Sequence, residues 1–137
     1  MQDLKFLEGI INAVSDPIFV KNEDRSFVLL NDATCELIGL SREELIGKND
    51  FDLFPKEEAE VFKAKDDLVF ATNEDNINQE TITNVDGEQR IISTKKRIYE
   101  MESGEKLLVG VIRDITDAVR HETELQNKNK ELESFAS

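Results

Sequence analysis

The chain is short of the residues that most metal and covalent chemistry requires. It has one cysteine, one histidine and no tryptophan among 137 residues. A lone cysteine forms no internal disulfide, and one histidine with one cysteine cannot supply most metal sites or a nucleophilic triad. No Gly-rich phosphate loop is present either. The sequence therefore predicts no catalytic residue and no metal ligand.

Positive charge and long apolar runs are also scarce. The 17 basic residues are outnumbered by 30 acidic ones, for a net charge of −13. Such a field repels phosphate backbones and anionic membranes, which argues against a nucleic-acid partner. No run approaches the roughly 20 apolar residues that span a bilayer, and the N-terminus lacks the pattern of a signal peptide. We therefore expect a cytoplasmic domain with no direct membrane insertion.

The residues that are present suffice for a single folded core with a helix at each end. Hydrophobic residues make up 39% of the chain and charged residues 34%, which predicts a sizeable core beneath a heavily solvated surface. Hydrophobic periodicity divides the chain into an amphipathic N-terminal helix in residues 1–15, a core in residues 16–116 and an outgoing helix in residues 117–137.

Within the core, segments with a period of two residues alternate with segments of helical period. Asp86 and Gly87 form a strong hairpin signal, and Ser41 with Glu44 is typical of a capping box. Residues 48–54 are expected to form an irregular loop. The order predicts an α+β fold with a five-stranded antiparallel sheet. Its expected helices are 3–14, 32–38, 41–47 and 55–71, and its expected strands are 18–20, 26–30, 77–83, 90–99 and 106–112.

Several short segments of this chain, taken in this order, resemble the PAS sensor family over about residues 5–117. The tail resembles the entry into the dimerisation helix of a sensor histidine kinase. The segments that carry the resemblance are Asp16-Pro17-Ile18-Phe19-Val20, Asn31-Asp32-Ala33, Leu40 to Lys48, Asp86-Gly87 and Asp114-Ile115-Thr116.

The resemblance implies a PAS fold, with short helices on one face of the sheet, an N-terminal helix and a C-terminal signalling helix. It implies a homodimer whose outgoing helix regulates autophosphorylation by a downstream kinase domain of the same chain. Two alternatives stay open. One is a PAS module of a cyclic-dinucleotide enzyme or a chemotaxis-type signalling protein, and the other is a stand-alone chromophore-binding photosensor.

Known cofactors of the family do not match this chain. Flavin-binding members place a reactive cysteine after a Gly-Lys/Arg-Asn segment, but here Asp50 follows Gly47–Asn49, and Ile112 stands where those members have a glutamine. Haem-binding members use a histidine on the long helix, where residues 61–65 contain none. His121 lies on the outgoing helix and is expected to be solvated. We therefore predict no haem and no covalent flavin, while a small apolar ligand stays open.

The predicted ligand pocket is small and apolar, and most of its residues also serve as core. Cys35 is expected to be a buried small apolar residue rather than a reactive thiol. The pocket candidates come from the facing strands and helices: Phe19, Phe27, Leu37, Phe51, Phe54, Phe62, Ile82 and Ile112.

Two groups of charged residues are expected to face solvent. The acidic group is interpreted as a solvated helix face, because it lacks the spacing of a calcium loop. It comprises Asp50, Asp52, Glu57, Glu58, Glu60, Asp66 and Asp67. The basic group is interpreted as a charged strand edge or, alternatively, as a receiver for an anion or an acidic helix. It comprises Arg90, Lys95, Lys96 and Arg97, with Lys96 on the opposite strand face from Lys95 and Arg97.

The predicted signal-coupling residues are Asp114, Ile115 and Thr116, where the last strand becomes the outgoing helix. Either polar side chain there can accept hydrogen bonds from free amides at the helix start. The outgoing helix is a weak heptad, with Ala118, Leu125 and Leu132 at d and Ile115, Glu122, Asn129 and Ala136 at a. The predicted dimer contacts are Leu4, Leu7, Ile11, Leu125 and Leu132.

Overall fold

The structure, a computed structural model, describes residues 2–136. Met1 and Ser137 of the two expected terminal helices lie outside the described residues, as does the side chain of Ala136 in the proposed heptad. The elements are α1 (Gln2–Asn12), β1 (Ile18–Lys21), β2 (Phe27–Leu30), α2 (Asp32–Ile38), α3 (Arg42–Leu45), α4 (Asp50–Leu53), α5 (Lys56–Thr72), β3 (Asn76–Thr83), β4 (Gln89–Glu100), β5 (Lys106–Asp114) and α6 (Thr116–Ala136).

The α+β fold with a five-stranded antiparallel sheet is confirmed. The strand order is β2-β1-β5-β4-β3, so the first and last strands of the core pair at the centre of the sheet. In the β1–β5 register Phe19 stands opposite Gly110, and a Cβ at Gly110 would collide with the Phe19 ring. Only glycine leaves room for that ring, which lies in the core.

The expected irregular loop at residues 48–54 is wrong, because residues Asp50–Leu53 form the short helix α4. The side chain of Asn49 accepts a hydrogen bond from the Asp52 amide, and the Asp52 carboxylate accepts one from the Asn49 amide. This reciprocal cap satisfies amides that a single helical turn leaves free. Its consequence is that Asp50 turns inward and Phe51 turns outward.

A fully buried asparagine ties the N-terminal helix to the core. Asn31 caps α2, and its Oδ1 accepts a hydrogen bond of 2.8 Å from the Ile18 amide. Its Nδ2 donates to the backbone oxygens of Ile11, at 2.8 Å, and of Asp16, at 3.0 Å. The end of α1 is therefore held at the start of β1, since losing any partner would leave a buried amide group unpaired.

The hydrophobic core lies between one face of the sheet and the helices α2 to α5. On β4 the burial alternates, so Ile92, Thr94 and Lys96 point inward while Lys95 and Arg97 point outward. The core cluster consists of Phe19, Phe27, Leu30, Ile38, Leu45, Phe54, Phe62, Val69, Ile82, Ile92, Leu108 and Ile112.

Candidate functional site

A cavity of about 30 Å³ lies within the core, between the inner face of the sheet and the helices. Two edge-to-face phenylalanine pairs line it, and the ring centroids are 5.7 Å apart in one pair and 5.4 Å apart in the other. The structure brings together six of the predicted pocket residues, namely Phe19, Phe27, Phe54, Phe62, Ile82 and Ile112.

Two predicted pocket residues lie elsewhere. Phe51 is 47% exposed, because α4 turns it away from the core. Leu37 is half-buried and packs at the edge of the core cluster, because Thr34 and Ile38 occupy the inward face of α2.

The lining of the cavity is mostly apolar, but five charged side chains, which were not predicted there from the sequence, meet beside it. Lys21 Nζ lies 2.7 Å from Asp50 Oδ2 and 2.7 Å from Asp66 Oδ2. Lys96 Nζ lies 3.0 Å from Asp66 Oδ1 and 3.6 Å from Glu80 Oε1. Each of these side chains is at most 7% exposed. We call these five residues the buried ionic cluster.

The buried ionic cluster joins five separate elements. Lys21 comes from β1, Asp50 from α4, Asp66 from α5, Glu80 from β3 and Lys96 from β4. Charged side chains are this deeply buried only when they are paired, since an unpaired charge in the interior is strongly destabilising. The cluster therefore ties α4 and α5 to three strands of the sheet.

Burial and pairing shift the protonation of the cluster in opposite directions. Burial raises the pKa of Asp50 and of Glu80, and the nearby ammonium groups of Lys21 and Lys96 only partly offset that rise. Burial by itself lowers the pKa of Lys21, but Asp50 and Asp66 outweigh it, and the pKa is raised. Burial thus pushes the carboxyl groups of Asp50 and Glu80 toward protonation, while the Lys21 ammonium group stays charged.

Several polar atoms of this interior make no hydrogen bond of good geometry with any residue from 2 to 136. They are Asp66 Oδ1, Glu80 Oε1 and Thr94 Oγ1. The Glu80 and Thr94 side chains line the cavity beside Lys96. Buried polar atoms without partners are uncommon in folded proteins, and they mark positions where water or a ligand binds.

The charged residues of the sequence are therefore divided differently than expected. Asp50 and Asp66 are buried, whereas the interpretation as a solvated helix face places them in water. Lys96 is buried as well, and so it is no part of a solvent edge. Lys95 and Arg97 lie on the outer sheet face, where Arg97 pairs with Asp75 at 2.7 Å.

The single cysteine and the single histidine take no part in this site. Cys35 is half-buried at the edge of the core, and burial raises the pKa of its thiol, which disfavours a reactive thiolate. His121 is exposed on α6. Among residues 2–136 no group of three histidine, cysteine, aspartate or glutamate side chains is arranged to hold a metal ion.

The second feature of interest is the strand-to-helix junction, in which Asp114, Ile115 and Thr116 meet Arg90 and Ile91 of β4. Asp114 Oδ1 accepts hydrogen bonds from the Thr116 amide at 3.0 Å and the Thr116 hydroxyl at 2.6 Å. Arg90 Nε donates to Asp114 Oδ2 at 2.8 Å. Partial burial by itself raises the pKa of Asp114, but the hydrogen bonds from Arg90 and Thr116 outweigh it and lower the pKa.

Thr116 is fully buried, and it bonds to β4 as well as to Asp114 at the helix start. Its hydroxyl oxygen accepts a hydrogen bond of 2.8 Å from the Ile91 amide, and the Ile115 amide donates to the Ile91 oxygen at 2.9 Å. The start of α6 is thereby pinned to β4, the strand that also carries Lys96.

Beyond Val119 the outgoing helix leaves the core. The described side chains from Arg120 to Glu133 are all exposed, including Leu125 at 50% and Leu132 at 63%. Leu4 and Leu7 of α1 are also exposed, whereas Ile11 is buried against the core. Four of the five predicted dimer residues are thus open to solvent, and Ile11 is not. Across residues 2–136 the helices are too short or too polar to cross a bilayer.

Comparisons with known proteins agree with this architecture. The family model described as PAS fold matches residues 11–120. A PAS domain from a two-component sensor histidine kinase is 18% identical, with 82% of this chain and 96% of that one covered and a TM-score of 0.68. The PAS domain of an HTR-like protein from Haloarcula marismortui is 21% identical, with 83% and 93% covered and a TM-score of 0.68.

A third likeness is to VqmA, in a structure bound to DPO and in a Vibrio cholerae complex with ligand and DNA. Both are 25% identical with a TM-score of 0.72, and they cover 84% and 83% of this chain and 58% and 52% of theirs. No curated protein matches the sequence.

Proposed function

The chain belongs to the PAS fold family, and from that premise we propose that it is the cytoplasmic sensory or relay domain of a sensor histidine kinase. In this role it has no catalytic residue of its own. It regulates autophosphorylation by a kinase domain that follows in the same chain, and movement of α6 is the signal.

The observation that carries this proposal is the way α6 leaves the core. The helix is fastened to β4 over its first residues, through Thr116 and the Asp114–Arg90 pair, and from Arg120 to Glu133 it is exposed. A long helix fixed at one end converts a small displacement of the sheet into a change of direction or rotation at the other end. Such a helix supports a relay role better than a structural one.

Exposed apolar residues support a parallel homodimer through α1 and α6. Leu4, Leu7, Leu125 and Leu132 are each at least 42% exposed, and nothing among residues 2–136 covers them. The heptad of α6 has polar residues at two of its four a positions, Glu122 and Asn129, so its coiled coil is marginal and sensitive to small inputs.

One comparison favours a second output of the sensory domain, namely a DNA-binding domain. VqmA, whose structures include a complex with ligand and DNA, is 25% identical to this chain, and the kinase PAS domain is 18% identical. A DNA-binding domain in the parent protein would then take the place of the kinase. With a net charge of −13, this chain itself is unsuited to contact DNA.

Insertions into α6 of the parent protein test the relay role without knowledge of the stimulus. Each residue added after Arg120 rotates the downstream helix by about 100°, whereas about seven residues nearly restore its phase. We expect autophosphorylation to change with insertions of about two or three residues and to be kept with an insertion of about seven. Activity that ignores the phase of the insertion would contradict a relay through α6, and an absence of any autophosphorylation in the wild type would favour the second output.

A further inference from the structure

The buried ionic cluster beside the cavity has one more carboxyl group than it has ammonium groups. The buried ionic cluster holds three carboxylates and two ammonium groups, so it carries one net negative charge when all five are ionised. An unbalanced charge is costly in a medium of low dielectric constant. A proton or a cation that enters the cavity removes this imbalance.

Glu80 is the carboxylate with the weakest pairing. Its Oε1 lies 3.6 Å from Lys96 Nζ and makes no hydrogen bond, although its side chain is 2% exposed. Asp50, in contrast, receives a hydrogen bond of 2.7 Å from Lys21. The unpartnered hydroxyl of Thr94 lines the same cavity. Two side chains that carry buried acceptors without donors therefore line one cavity.

The walls and the size of the cavity restrict what those acceptors can bind. Phenylalanine rings form much of the lining, and Lys21 Nζ already lies 5.4 Å and 5.1 Å from the ring centroids of Phe19 and Phe27. Aromatic faces favour a cation, and the rings of Phe54 and Phe62 line the cavity as well. A volume of about 30 Å³ holds a few non-hydrogen atoms at most.

We propose that this cavity is a binding site for a small protonated amine, whose N–H groups donate to Glu80 Oε1 and Thr94 Oγ1. The amine supplies the positive charge that the buried ionic cluster lacks, and its carbon contacts the phenylalanine rings. That binding is a signal for the parent protein rests on the proposed function, whereas the binding itself is a property of this chain.

Proton linkage distinguishes this site from general salt effects. The charged group that faces Glu80 directly is Lys96 on β4, which also pairs with Asp66 on α5. Lys21 on β1 and Asp50 on α4 complete the cluster. Burial raises the pKa of Glu80, so an arriving ammonium ion displaces a proton from it. The affinity for the amine is therefore expected to rise with pH.

The experiment titrates methylammonium chloride into the purified chain, by calorimetry in two buffers of different ionisation enthalpy. We expect saturable binding with release of a fraction of a proton. We expect Glu80→Gln, which leaves a balanced cluster, and Thr94→Val to weaken binding by at least about tenfold. Glu102→Gln changes an exposed carboxylate in a turn and is expected to bind as the wild type does.

Several results would contradict the binding of a protonated amine in this cavity. The proposal fails if sodium chloride at equal ionic strength, or neutral acetamide, gives the same heat, and it fails if Glu80→Gln retains the affinity. It also fails if no saturable binding occurs, which leaves the cavity to water. Failure of the relay role is separate. If methylammonium binds as described but does not alter autophosphorylation of the parent, the site stands and its link to the output fails.

Discussion

The buried ionic cluster and the strand-to-helix junction use the same chemistry, an aspartate held between hydrogen-bond donors, at very different exposure. In the cluster, the Asp66 side chain is 1% exposed and the lysines beside it are 3% exposed. At the junction, Asp114 is 31% exposed and its partner Arg90 is 23% exposed. The Asp66 carboxylate is shielded from water, and the Asp114 carboxylate is in contact with it.

This difference in exposure predicts that the two regions contribute differently to stability. Removing the closest partner of a buried ammonium group costs about 3–5 kcal/mol, whereas an exposed pair contributes about 0–1 kcal/mol. The cluster therefore governs whether the helices stay on the sheet. The partly exposed Asp114–Arg90 pair of the junction contributes little to stability, so it is free to change. Strand β4 connects the two regions because it carries both Lys96 and the contacts of Thr116.

The largest effect is expected from Asp66→Asn. Asp66 pairs with both buried lysines, at 2.7 Å from Lys21 and 3.0 Å from Lys96, so the change removes a close ion pair from each, and we expect it to reduce the free energy of unfolding by about 3–5 kcal/mol. Asp67→Asn is the matched control, since Asp67 is the next residue on α5 and forms exposed pairs with Arg25 and Lys63. The control is expected to cost about 1 kcal/mol or less in urea unfolding. Equal costs for both variants would contradict the comparison.

An intermediate effect is expected from Asp114→Ala combined with Thr116→Ala. The double variant removes the side-chain hydrogen bonds that fix the start of α6, at about 0.5–2 kcal/mol for the cap and about 0.5–1.5 kcal/mol for the bond to Ile91. A domain stability of roughly 5–15 kcal/mol leaves the fold intact.

In the parent protein, autophosphorylation of this double variant should persist but stop responding to the stimulus. Asp117→Ala, an exposed change one residue further along α6, serves as the control. A normal response of the double variant would show that the junction is not the coupling element, and complete unfolding would show that it belongs to the structural core.

The positions of the charged side chains in the interior were harder to predict from the sequence than the fold was. Helix and strand periods, together with turns such as Asp86-Gly87, predict nearly every element, because burial of one face imposes those periods. Charged residues are mostly exposed in folded proteins, and the expectation that these ones face solvent is wrong for Asp50, Asp66 and Lys96. Lys96 nevertheless alternates in phase with Ile92 and Thr94, and this spacing is a signal of an inward side chain.

The same reasoning applies to the helices. Asp66 lies on the buried stripe of α5, between Phe62 one turn before it and Val69 one turn after it, so its burial was predictable from helical spacing. Its partners come from β1 and β4, and no local pattern indicates which distant charges will meet. Asp50 required in addition that the single-turn helix α4 be recognised from the Asn49–Asp52 capping box.

A smaller effect is expected from the pH dependence of Glu80. Burial raises its folded-state pKa above the usual 4.5, so its contribution to stability is present below that value and is lost as the pH rises through the folded-state pKa. Each unit of the rise corresponds to about 1.4 kcal/mol. Glu80→Gln should match the wild type at about pH 5 and exceed it in stability at about pH 8.

Denaturant unfolding at several pH values measures this difference. Glu102→Gln should follow the wild-type curve throughout, because Glu102 is exposed in a turn. A difference between Glu80→Gln and the wild type that does not change with pH would show that Glu80 is fully ionised in the folded protein.

The smallest effect is expected from Arg90→Gln. It removes the partly exposed pair with Asp114 and should change the free energy of unfolding by less than about 1 kcal/mol. Removing this pair should also return the pKa of Asp114 toward its ordinary value, since the hydrogen bond from Arg90 is the largest of the interactions that lower it. Titration of the Asp114 carboxyl by NMR measures that shift, and an unchanged pKa would show that the pair does not form in solution.

The relay through α6 requires that β4 couple the buried ionic cluster to the start of that helix. Amide hydrogen exchange of residues 114–120 tests it most directly, in the wild type, in Glu80→Gln, and in each of these with the Asp114→Ala and Thr116→Ala changes. We expect Glu80→Gln to alter the exchange protection at residues 114–120, and we expect this effect to disappear when the junction is mutated. Protection at residues 114–120 that is unchanged by Glu80→Gln, or that responds to Glu80→Gln equally with the junction intact and mutated, would contradict it.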